Sequence, residues 1–246
     1  MDANDLSDAA LAAKLAGEAG ALLADLRAYG DRTGKALGDA GDKAANALIC
    51  NALRSARPHD GLLSEEEKDN AARLEHSRVW IVDPLDGTRE YGEGRSDWAV
   101  HVALAVNGRP SVGAVALPGA HGSPVLRSDQ PAELPHADGK PRLLVSRTRP
   151  AAEALAVAEA LGGELIPMGS AGAKAMAVVL GQADIYLHSG GQYEWDSCAP
   201  VAVALAHGLH CSRLDGSPLI YNQRDTYMPD LLICRPEWAE RVLALL

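Results

Sequence analysis

Residues 79–88 read Val-Trp-Ile-Val-Asp-Pro-Leu-Asp-Gly-Thr, an apolar run that ends in a turn carrying two carboxylates. Its β-branched and aromatic residues predict a buried strand. Proline lacks a backbone N–H and restricts φ, so we expect Pro84 to end that strand. Asp83 and Asp86 then lie close together, and like charges at that distance repel unless a cation lies between them. Mg²⁺ binds carboxylate and carbonyl oxygens, so Asp83, Asp86 and the Leu85 carbonyl predict a metal site.

A second acidic segment bears on this interpretation, because Asp-Pro and Asp-Gly also occur in ordinary surface turns with solvated acids. Residues 61–64 form a short apolar run, and three consecutive glutamates, residues 65–67, follow it directly. An acidic run is usually a solvated face. Two strand ends that both carry acids nevertheless favour a shared site. We expect Glu65, the glutamate nearest to its strand, to be the ligand.

Composition limits the kinds of partner and compartment. The chain has 246 residues, 47% hydrophobic and 23% charged, which is typical of a soluble globular protein with one large domain or two small ones. Its formal net charge of −10 argues against a nucleic-acid polymer or an anionic membrane as partner. A small anionic substrate is compatible with that charge if metal ions supply positive charge locally. The start of the chain lacks a signal-peptide pattern, and no apolar run reaches the ~20 residues that span a bilayer, so we expect a cytoplasmic protein.

Two helices are predicted at the amino-terminal end, and Asp42 begins the second of them. The first helix starts at a cap, Asp5 or Ser7, and carries a stripe of leucines. Residues 31–39 are polar and contain glycine, so we expect a mobile loop there. The second helix covers about residues 42–55. The helix dipole favours a carboxylate at a helix start, so Asp42 is either a cap or a functional group.

An antiparallel sheet is predicted to complete the amino-terminal half. Asn107-Gly108 is a hairpin turn between strands at residues 97–106 and 111–117. The segment that follows is rich in Gly, Pro and Ser, with a short strand at residues 125–126, and we place a domain boundary there. Residues 1–125 then form an α+β domain with most of the metal ligands, and residues 126–246 form an α/β domain that selects the substrate.

The carboxyl-terminal half alternates strand and helix, which is the pattern of an α/β fold. Strands are predicted at residues 142–146, 164–168, 183–188 and 231–234, and helices at residues 151–161, 173–180, 196–206 and 236–246. Gly169 and Ser170 precede the second of these helices and present backbone N–H groups, a ready anion site. Asp196 begins the third helix and is either an N-cap or a metal ligand aimed by a rigid helix end.

Three motifs, in order along the chain, resemble the signatures of the inositol monophosphatase family of metal-dependent, lithium-sensitive phosphatases. They are Leu-Ser-Glu-Glu at residues 63–66, Asp-Pro-Leu-Asp-Gly-Thr at residues 83–88 and Trp-Asp-Ser-Cys-Ala at residues 195–199. The resemblance covers nearly the whole chain. It implies α+β and α/β layers in an alternating αβαβα sandwich, with an antiparallel sheet in the amino-terminal half and a mixed α/β carboxyl-terminal half.

The resemblance also implies which residues bind metal. One Mg²⁺ would be held by Glu65, Asp83 and the Leu85 carbonyl. A second would be held by Asp83, Asp86 and Asp196, and a third, weaker ion is left open. Metal ions suit a doubly charged phosphate ester because they neutralise the phosphoryl oxygens and stabilise the leaving alkoxide.

Asp42 with Thr88, and Glu65 beside them, are the catalytic residues that the resemblance implies. Asp42 and Thr88 would orient or activate the attacking water, giving inorganic phosphate and an alcohol without a covalent phosphoenzyme. The family usually shows Val-Thr-x-Ala-Asp before its second helix, whereas residues 38–42 read Gly-Asp-Ala-Gly-Asp. The carboxylate of Asp42 is kept and the Val-Thr pair is not.

Residues 169–174 and 181–186 look most like the 3′-phosphonucleotide (CysQ-type) branch of the family. That likeness implies hydrolysis of the 3′-phosphate of 3′-phosphoadenosine 5′-phosphate, or of its 5′-phosphosulfate, to AMP or adenosine 5′-phosphosulfate in sulfur assimilation. The substrate contacts it implies are Gly87, Thr88, Gly169, Ser170, Lys174, Tyr193 and Glu194.

Three of these contacts have alternative interpretations. Lys174 would meet the 5′-phosphate or sulfate, or is a solvated helix lysine. Tyr193 would stack on a base and Glu194 would contact a sugar, and a plain turn accounts for both residues as well.

Other functions stay open at this point. Within the same class, the chain could hydrolyse inositol 1-phosphate or fructose 1,6-bisphosphate, or act broadly. In a different class, it could be a non-catalytic phosphometabolite-binding protein, which would be expected to lack a metal carboxylate, and none is lacking. Dimerisation is common in the family, so a homodimer is an expectation from the resemblance alone. The eight histidines show no metal-ligand spacing, and we interpret them as structural or solvated.

Overall fold

The computed structural model describes residues 3–136 and 139–246, which begin with two helices on one face of a five-stranded sheet. The helices are α1 (Asp8–Tyr29) and α2 (Gly34–Ala56). The strands, which pair in chain order, are β1 (Gly61–Ser64), β2 (Arg78–Asp86), β3 (Ala99–Val106), β4 (Arg109–Ala116) and β5 (Val125–Arg127). A short helix, α3 (Thr88–Gly92), follows β2.

A second five-stranded sheet follows, with helices on both of its faces. Its strands are β6 (Arg142–Ser146), β7 (Glu164–Met168), β8 (Ile185–Tyr193), β9 (His210–Ser212) and β10 (Tyr227–Cys234), in the order β7-β6-β8-β10-β9. Its helices are α4 (Ala152–Leu161), α5 (Ala171–Val179), α6 (Glu194–Ala206) and α7 (Pro236–Leu243).

The side-chain alternation of the strands builds five layers. Successive residues of a strand point to opposite faces of the sheet. Trp80 and Val82 of β2 therefore pack with α1 and α2, whereas Ile81 packs with α5 and α6. Ile185 of the second sheet packs with α4 and α7, and its neighbour Tyr186 packs with α5 and α6. The predicted αβαβα sandwich is confirmed.

The amino-terminal helices differ in part from their prediction. Ser7 caps α1, with its hydroxyl accepting from the Ala10 N–H at 3.2 Å, which confirms one of the two proposed caps. The mobile loop predicted over residues 31–39 is wrong, because α2 begins at Gly34. Tertiary packing overrides the low helix propensity of glycine here. A Cβ at Gly38 would lie 2.7 Å from Thr88 Cγ2, so the glycine lets α2 approach α3 closely.

The strand β2 also differs from its prediction, because it continues through Pro84 to Asp86. The pairing of β2 with β3 is irregular between Asp83 and Asp86. Pro84 lies within this irregularity, where its missing N–H removes no regular ladder bond. In addition, β1 pairs with β2 in parallel, so the first sheet has one parallel pair among its antiparallel ones.

Most of the remaining elements lie within about two residues of their predicted bounds, but β8 continues to Tyr193, five residues past its predicted end, and β10 begins at Tyr227, four residues before its predicted start. The Asn107-Gly108 hairpin is confirmed, with φ values of 50° and 75° that the two-residue turn requires. Strand β9 was not predicted, because its three residues show no clear alternation. The division at residue 125 stays a prediction, and β5, the last strand of the first sheet, ends at Arg127. Among residues 3–136 and 139–246, no helix is both long and apolar enough to cross a membrane.

Candidate active site

Three carboxylates, two of them buried and one partly buried, meet between the first sheet and α6. Asp83 and Asp86 come from the end of β2, and Asp196 comes from the first turn of α6. One oxygen of each lies within 4.8 Å of the others. Such a group of hard oxygen donors fits a divalent cation such as Mg²⁺. The structure therefore brings together three acids that are separated by up to 113 positions in the sequence, from Asp83 to Asp196.

The pKa values of Asp83 and Asp196 show why these carboxyl groups suit a cation. Burial, and then the charges of Glu65, Asp86 and Asp196, raise the pKa of Asp83 well above its usual range. Burial and the Asp86 charge raise the pKa of Asp196 to about 7. Like charges that share a buried site cannot all ionise without compensation. Positive charge placed among these oxygens would let all of them ionise.

Glu65 lies at the edge of this group rather than within it. Its backbone N–H donates to the Val82 carbonyl at 3.2 Å, which ties the end of β1 to β2. Its carboxyl group interacts with that of Asp83, and each changes the pKa of the other. Burial of that carboxyl, with the nearby charges of Asp86 and Glu66, raises its pKa. Glu65 therefore adds a fourth carboxyl group beside Asp83.

Asp86 is held by the start of α5. Its Oδ1 accepts from the Ala171 N–H at 3.1 Å, and its Oδ2 accepts from the Gly172 N–H at 2.6 Å and from the Ser170 hydroxyl. Burial alone would raise the pKa of Asp86, but His101, the Ser170 hydroxyl and the Gly172 N–H lower it to about 2. Asp86 is thus a carboxylate that the protein stabilises in its charged form.

This contact corrects the predicted anion site at Gly169 and Ser170. The N–H groups at the start of α5 bind the protein's own Asp86, and the Gly169 N–H donates to Asp97 Oδ2 at 2.7 Å. A helix N-terminus favours negative charge, and here that charge is internal. Ser170 therefore holds Asp86 and the Gly169 N–H holds Asp97, so neither presents these donors to a phosphate.

Asp42 lies inside α2, so the interpretation as a helix cap is wrong. The side chain is buried, and burial followed by the charges of Glu66 and Glu65 raises its pKa to about 7. Among the described residues, its Oδ1 has no hydrogen-bond partner. Thr88 lies close by, and its hydroxyl donates to the Leu85 carbonyl at 3.0 Å. An unpartnered carboxylate oxygen that titrates near neutral pH has the properties of a general base.

His101 is a residue whose importance the sequence reading missed. It is fully buried in β3, with Nδ1 3.0 Å from the Trp195 carbonyl oxygen and Nε2 3.3 Å from Asp86 Oδ2. A signal was present in the sequence, because residues 99–106 are otherwise apolar. A polar side chain in a buried strand needs partners. The pattern did not show which partners those were.

The structure also changes the interpretation of two predicted substrate contacts. Lys174 is buried, and its Nζ donates to the carbonyl oxygens of Ser170 at 2.6 Å and Gly169 at 3.4 Å, so the solvated-lysine alternative is wrong. The oxygens of Glu194 accept from the N–H groups of Asn222 and Gln223, each at 2.6 Å. Both charged groups therefore bind the protein's own backbone, and we do not include them among the proposed substrate contacts.

Tyr193 and Gly87 keep positions compatible with a substrate site. Tyr193 is 42% exposed, and its ring stacks on that of Trp195, with centroids 5.0 Å apart and planes at 11°. Gly87 has φ 86°, and a Cβ there would lie 3.1 Å from Ser170 Cβ. Glycine at this position therefore allows the turn after Asp86 to contact the turn before α5.

Comparisons with known proteins agree in sequence and in fold. The model of the inositol monophosphatase family matches residues 7–246. A Mycobacterium leprae protein named 3′-phosphoadenosine 5′-phosphate phosphatase is 51% identical, over 98% of this chain and 94% of its own length. An Escherichia coli (strain K12) protein named 3′(2′),5′-bisphosphate nucleotidase CysQ is 32% identical over 77% of this chain and 81% of its own. The crystal structure of CysQ from Bacteroides thetaiotaomicron superposes with a TM-score of 0.78 at 25% identity, covering 91% of this chain and 95% of that one.

Proposed function

Because this chain belongs to the inositol monophosphatase family, we propose that it is a Mg²⁺-dependent phosphomonoesterase that removes the 3′-phosphate of 3′-phosphoadenosine 5′-phosphate. The observation that carries the chemistry is the convergence of the Asp83, Asp86 and Asp196 carboxylates, one oxygen of each lying within 4.8 Å of the others. The substrate is supported by the 51% identical relative named for that activity, which this chain matches over 98% of its length. The proposal includes the 5′-phosphosulfate analogue as a substrate. It assigns the activity to sulfur assimilation.

We assign the metal ligands from the carboxyl groups that converge. Asp83, Asp86 and Asp196 would hold one Mg²⁺, and Glu65 with Asp83 and the Leu85 carbonyl would hold another. The residues fit such ions, because burial and mutual repulsion raise the pKa of Asp83 and Asp196 and a cation would reverse both effects. When bound, Mg²⁺ neutralises phosphoryl oxygens, lowers the pKa of water and stabilises the leaving alkoxide.

The chain's own residues supply the proton transfer. Thr88 donates its hydroxyl proton to the Leu85 carbonyl, so the lone pairs of Oγ1 can accept a hydrogen bond from the attacking water. The unpartnered Oδ1 of Asp42 then takes the proton of that water as it attacks phosphorus. A carboxyl pKa of about 7 suits a base that works near neutral pH. A third, weaker Mg²⁺ beside Asp42 is a further element of this proposal.

An aromatic surface next to Asp196 provides the contact for the adenine base. Tyr193 stacks on Trp195 and packs edge-on against Tyr227, with centroids 5.8 Å apart. Tyr193 is also the residue at which β8 pairs with Tyr227 of β10, so its backbone is fixed by the sheet. A base has two π-faces and stacks readily on an exposed tyrosine. Neither an inositol ring nor a fructose ring offers such a face.

The substrate assignment predicts a clear order of activities. With Mg²⁺ present, we expect kcat/KM for 3′-phosphoadenosine 5′-phosphate to exceed that for inositol 1-phosphate and fructose 1,6-bisphosphate by roughly 10–100-fold, since one stacked base contributes about 1–3 kcal/mol. Tyr193→Ala should remove most of this preference without lowering turnover of inositol 1-phosphate. Phosphate release from the three compounds side by side measures both effects.

Tyr29→Ala is the matched control for this experiment, because Tyr29 is 87% exposed at the end of α1 and lies outside the proposed site. The Tyr29→Ala variant should show the same preference for the nucleotide over the sugar phosphates as the unmodified protein. Faster hydrolysis of inositol 1-phosphate than of the nucleotide would refute the substrate assignment. Absence of hydrolysis with any of the compounds would instead support a phosphometabolite-binding role.

The metal-free protein should lose stability as the pH rises. The folded-state pKa values of Asp42 and Asp196, both about 7, lie above the usual 3.8. Such groups stabilise the folded state at low pH, and this contribution is lost as the pH rises through the folded pKa. The lowered pKa of Asp86 has the opposite effect on stability, but only at pH values below the usual carboxyl pKa of 3.8. The melting temperature of the EDTA-treated protein should therefore fall between about pH 5 and about pH 8.

Addition of Mg²⁺ at about pH 8 should restore that stability. A ligand at 100 times its Kd adds about 2.7 kcal/mol, and at this chain length roughly 5–10 °C in melting temperature follows. KCl at equal ionic strength is the control for general screening. A melting temperature that is independent of pH, or an equal response to KCl, would contradict the proposed metal site.

A further inference from the structure

We propose that His101 is a positioning residue that fixes the Asp86 carboxylate relative to the first turn of α6, which carries Asp196. The inference rests on the proposed function, because it assigns His101 to the proposed metal site. His101 is not placed among the ligands. It acts through the residues that it contacts.

The contacts of the imidazole ring connect two distant elements. Nδ1 lies 3.0 Å from the Trp195 carbonyl oxygen, and a carbonyl can only accept, so Nδ1 carries the hydrogen and donates it. Trp195 immediately precedes Asp196 in the chain. Nε2, on the other side of the ring, lies 3.3 Å from Asp86 Oδ2. One rigid ring therefore spans the distance between the end of β2 and the start of α6.

The α5 helix is shaped to accept this ring. A Cβ built on Gly172 would lie 1.9 Å from His101 Nε2 and 3.0 Å from its Cδ2. The ring therefore occupies the space that any side chain at position 172 would need. The Gly172 N–H also donates to Asp86 Oδ2 at 2.6 Å. His101 and Gly172 thus form a matched pair, and both contact the same carboxylate oxygen.

The pairing of β2 with β3 changes register between the two acids of β2. Asp83 pairs with His101 and Asp86 pairs with Ala99, so a step of three residues along β2 lies opposite a step of two residues along β3. His101 is the β3 residue paired with Asp83, so its position is set by the regular part of the ladder. From there its ring reaches both Asp86 and the α6 turn. This placement explains why a histidine stands in an otherwise apolar strand.

The first test measures metal binding directly. His101→Ala should weaken binding of Mn²⁺ to the EDTA-treated protein about 10–100-fold, the usual effect of removing a residue that orients a metal ligand. Free Mn²⁺ measured by electron paramagnetic resonance reports this affinity. The Mg²⁺ concentration for half-maximal hydrolysis should rise by a similar factor, while KM for the nucleotide at saturating Mg²⁺ stays unchanged.

Two further variants separate positioning from general stability. His207→Ala is the matched control, because the His207 ring also contacts a backbone carbonyl, that of Val203 at 2.8 Å, at the far end of α6. It should leave Mn²⁺ affinity unchanged. His101→Asn keeps a donor for the Trp195 carbonyl but is too short to reach Asp86. It should melt closer to the unmodified protein than His101→Ala does and still bind Mn²⁺ weakly.

A double-mutant cycle tests the geometry of the pair. Gly172→Ala alone should displace the His101 ring and weaken Mn²⁺ binding, whereas in the His101→Ala background it should add little, because the new methyl group fills vacated space. Additive losses, or unchanged Mn²⁺ affinity in His101→Asn and His101→Ala, would overturn the proposal. If affinity depends on His101 as described but the nucleotide is not hydrolysed, the proposed function fails and the positioning role stands.

Discussion

Asp83→Asn is expected to abolish turnover and, in the same molecule, to stabilise the metal-free protein. Asp83 is 1% exposed, and burial and three neighbouring carboxyl groups raise its pKa. Asparagine has nearly the same shape, and its side-chain oxygen can still accept from the Leu85 N–H, a contact of 3.1 Å to Oδ1 in the native protein. It removes one of the mutually repelling charges. It also removes a donor that both proposed Mg²⁺ ions share.

The expected magnitudes are large in both directions. Metal ions contribute several kcal/mol of charge stabilisation, so kcat should fall on the order of 10³-fold or more. Without metal at about pH 8, replacement of a buried carboxyl group whose charged form is unfavourable contributes about 1–3 kcal/mol, or roughly 3–10 °C in melting temperature. Steady-state kinetics and thermal unfolding after EDTA treatment measure the two effects. A lower melting temperature for the variant would contradict the electrostatic account of the site.

Asp86→Asn should also abolish turnover, but it should destabilise the metal-free protein. The Asp86 carboxylate accepts from Ala171, Gly172 and the Ser170 hydroxyl, which keep its pKa near 2. An amide has only one acceptor oxygen, so a donor at the start of α5 loses its partner. Loss of hydrogen bonds to a buried charged group costs about 1.5–3 kcal/mol each.

The Asp86→Asn melting temperature should therefore fall by roughly 5–10 °C, the opposite sign to Asp83→Asn. Asp129→Asn is the control for both variants, because Asp129 is a solvent-exposed acid paired with Arg127. Exposed ion pairs contribute little, so its stability and activity should match those of the unmodified protein. Equal shifts in Asp83→Asn and Asp86→Asn would show that the contacts at α5 do not distinguish the two acids.

These opposite signs mark the limit of what the sequence could predict. The two acids stand three positions apart in one motif, and both were assigned to metal binding on residue type and spacing. Their different environments come from residues far away in the chain. Ser170 and Gly172 stabilise Asp86, and Asp196 repels Asp83. Local pattern predicts which side chains are present at a strand end, but tertiary contacts decide their charge state.

The fold itself was largely predictable, because alternation in the strands and the helical stripes are local signals. The layer order followed from the resemblance of three short motifs. The start of α2 could not be predicted, since a stretch with three glycines, Gly34, Gly38 and Gly41, reads as a loop until its close contacts with Thr88 and Leu23 are known. That error also made Asp42 look like a helix cap.

Lys174 and His101 show the same limit for buried polar groups. A lysine on a helix and a histidine in a strand have ordinary interpretations as surface and core residues. In the structure, Lys174 binds the carbonyls of the turn that holds Asp86, and His101 approaches Asp86 itself. Both residues therefore help to hold the Asp86 carboxylate in place. Only the packing of α5 against β2 and β3 shows this.

The site also illustrates a cost that function imposes on stability. Asp83 and Asp42 are buried and Asp196 is partly buried, and their raised pKa values indicate unfavourable charged states in the metal-free protein. A cation would convert this cost into binding energy. The proposed activity therefore accounts for an arrangement that would be difficult to explain in a protein selected for stability alone.

Phosphorus NMR of 3′-phosphoadenosine 5′-phosphate incubated with the protein and Mg²⁺ tests the proposed reaction at the bond that breaks. We expect the 3′-phosphate resonance to disappear while the 5′-phosphate resonance stays, with inorganic phosphate and AMP formed one to one. EDTA should stop the reaction. Loss of the 5′-phosphate instead, or hydrolysis that continues in EDTA, would contradict a metal-dependent 3′-phosphatase.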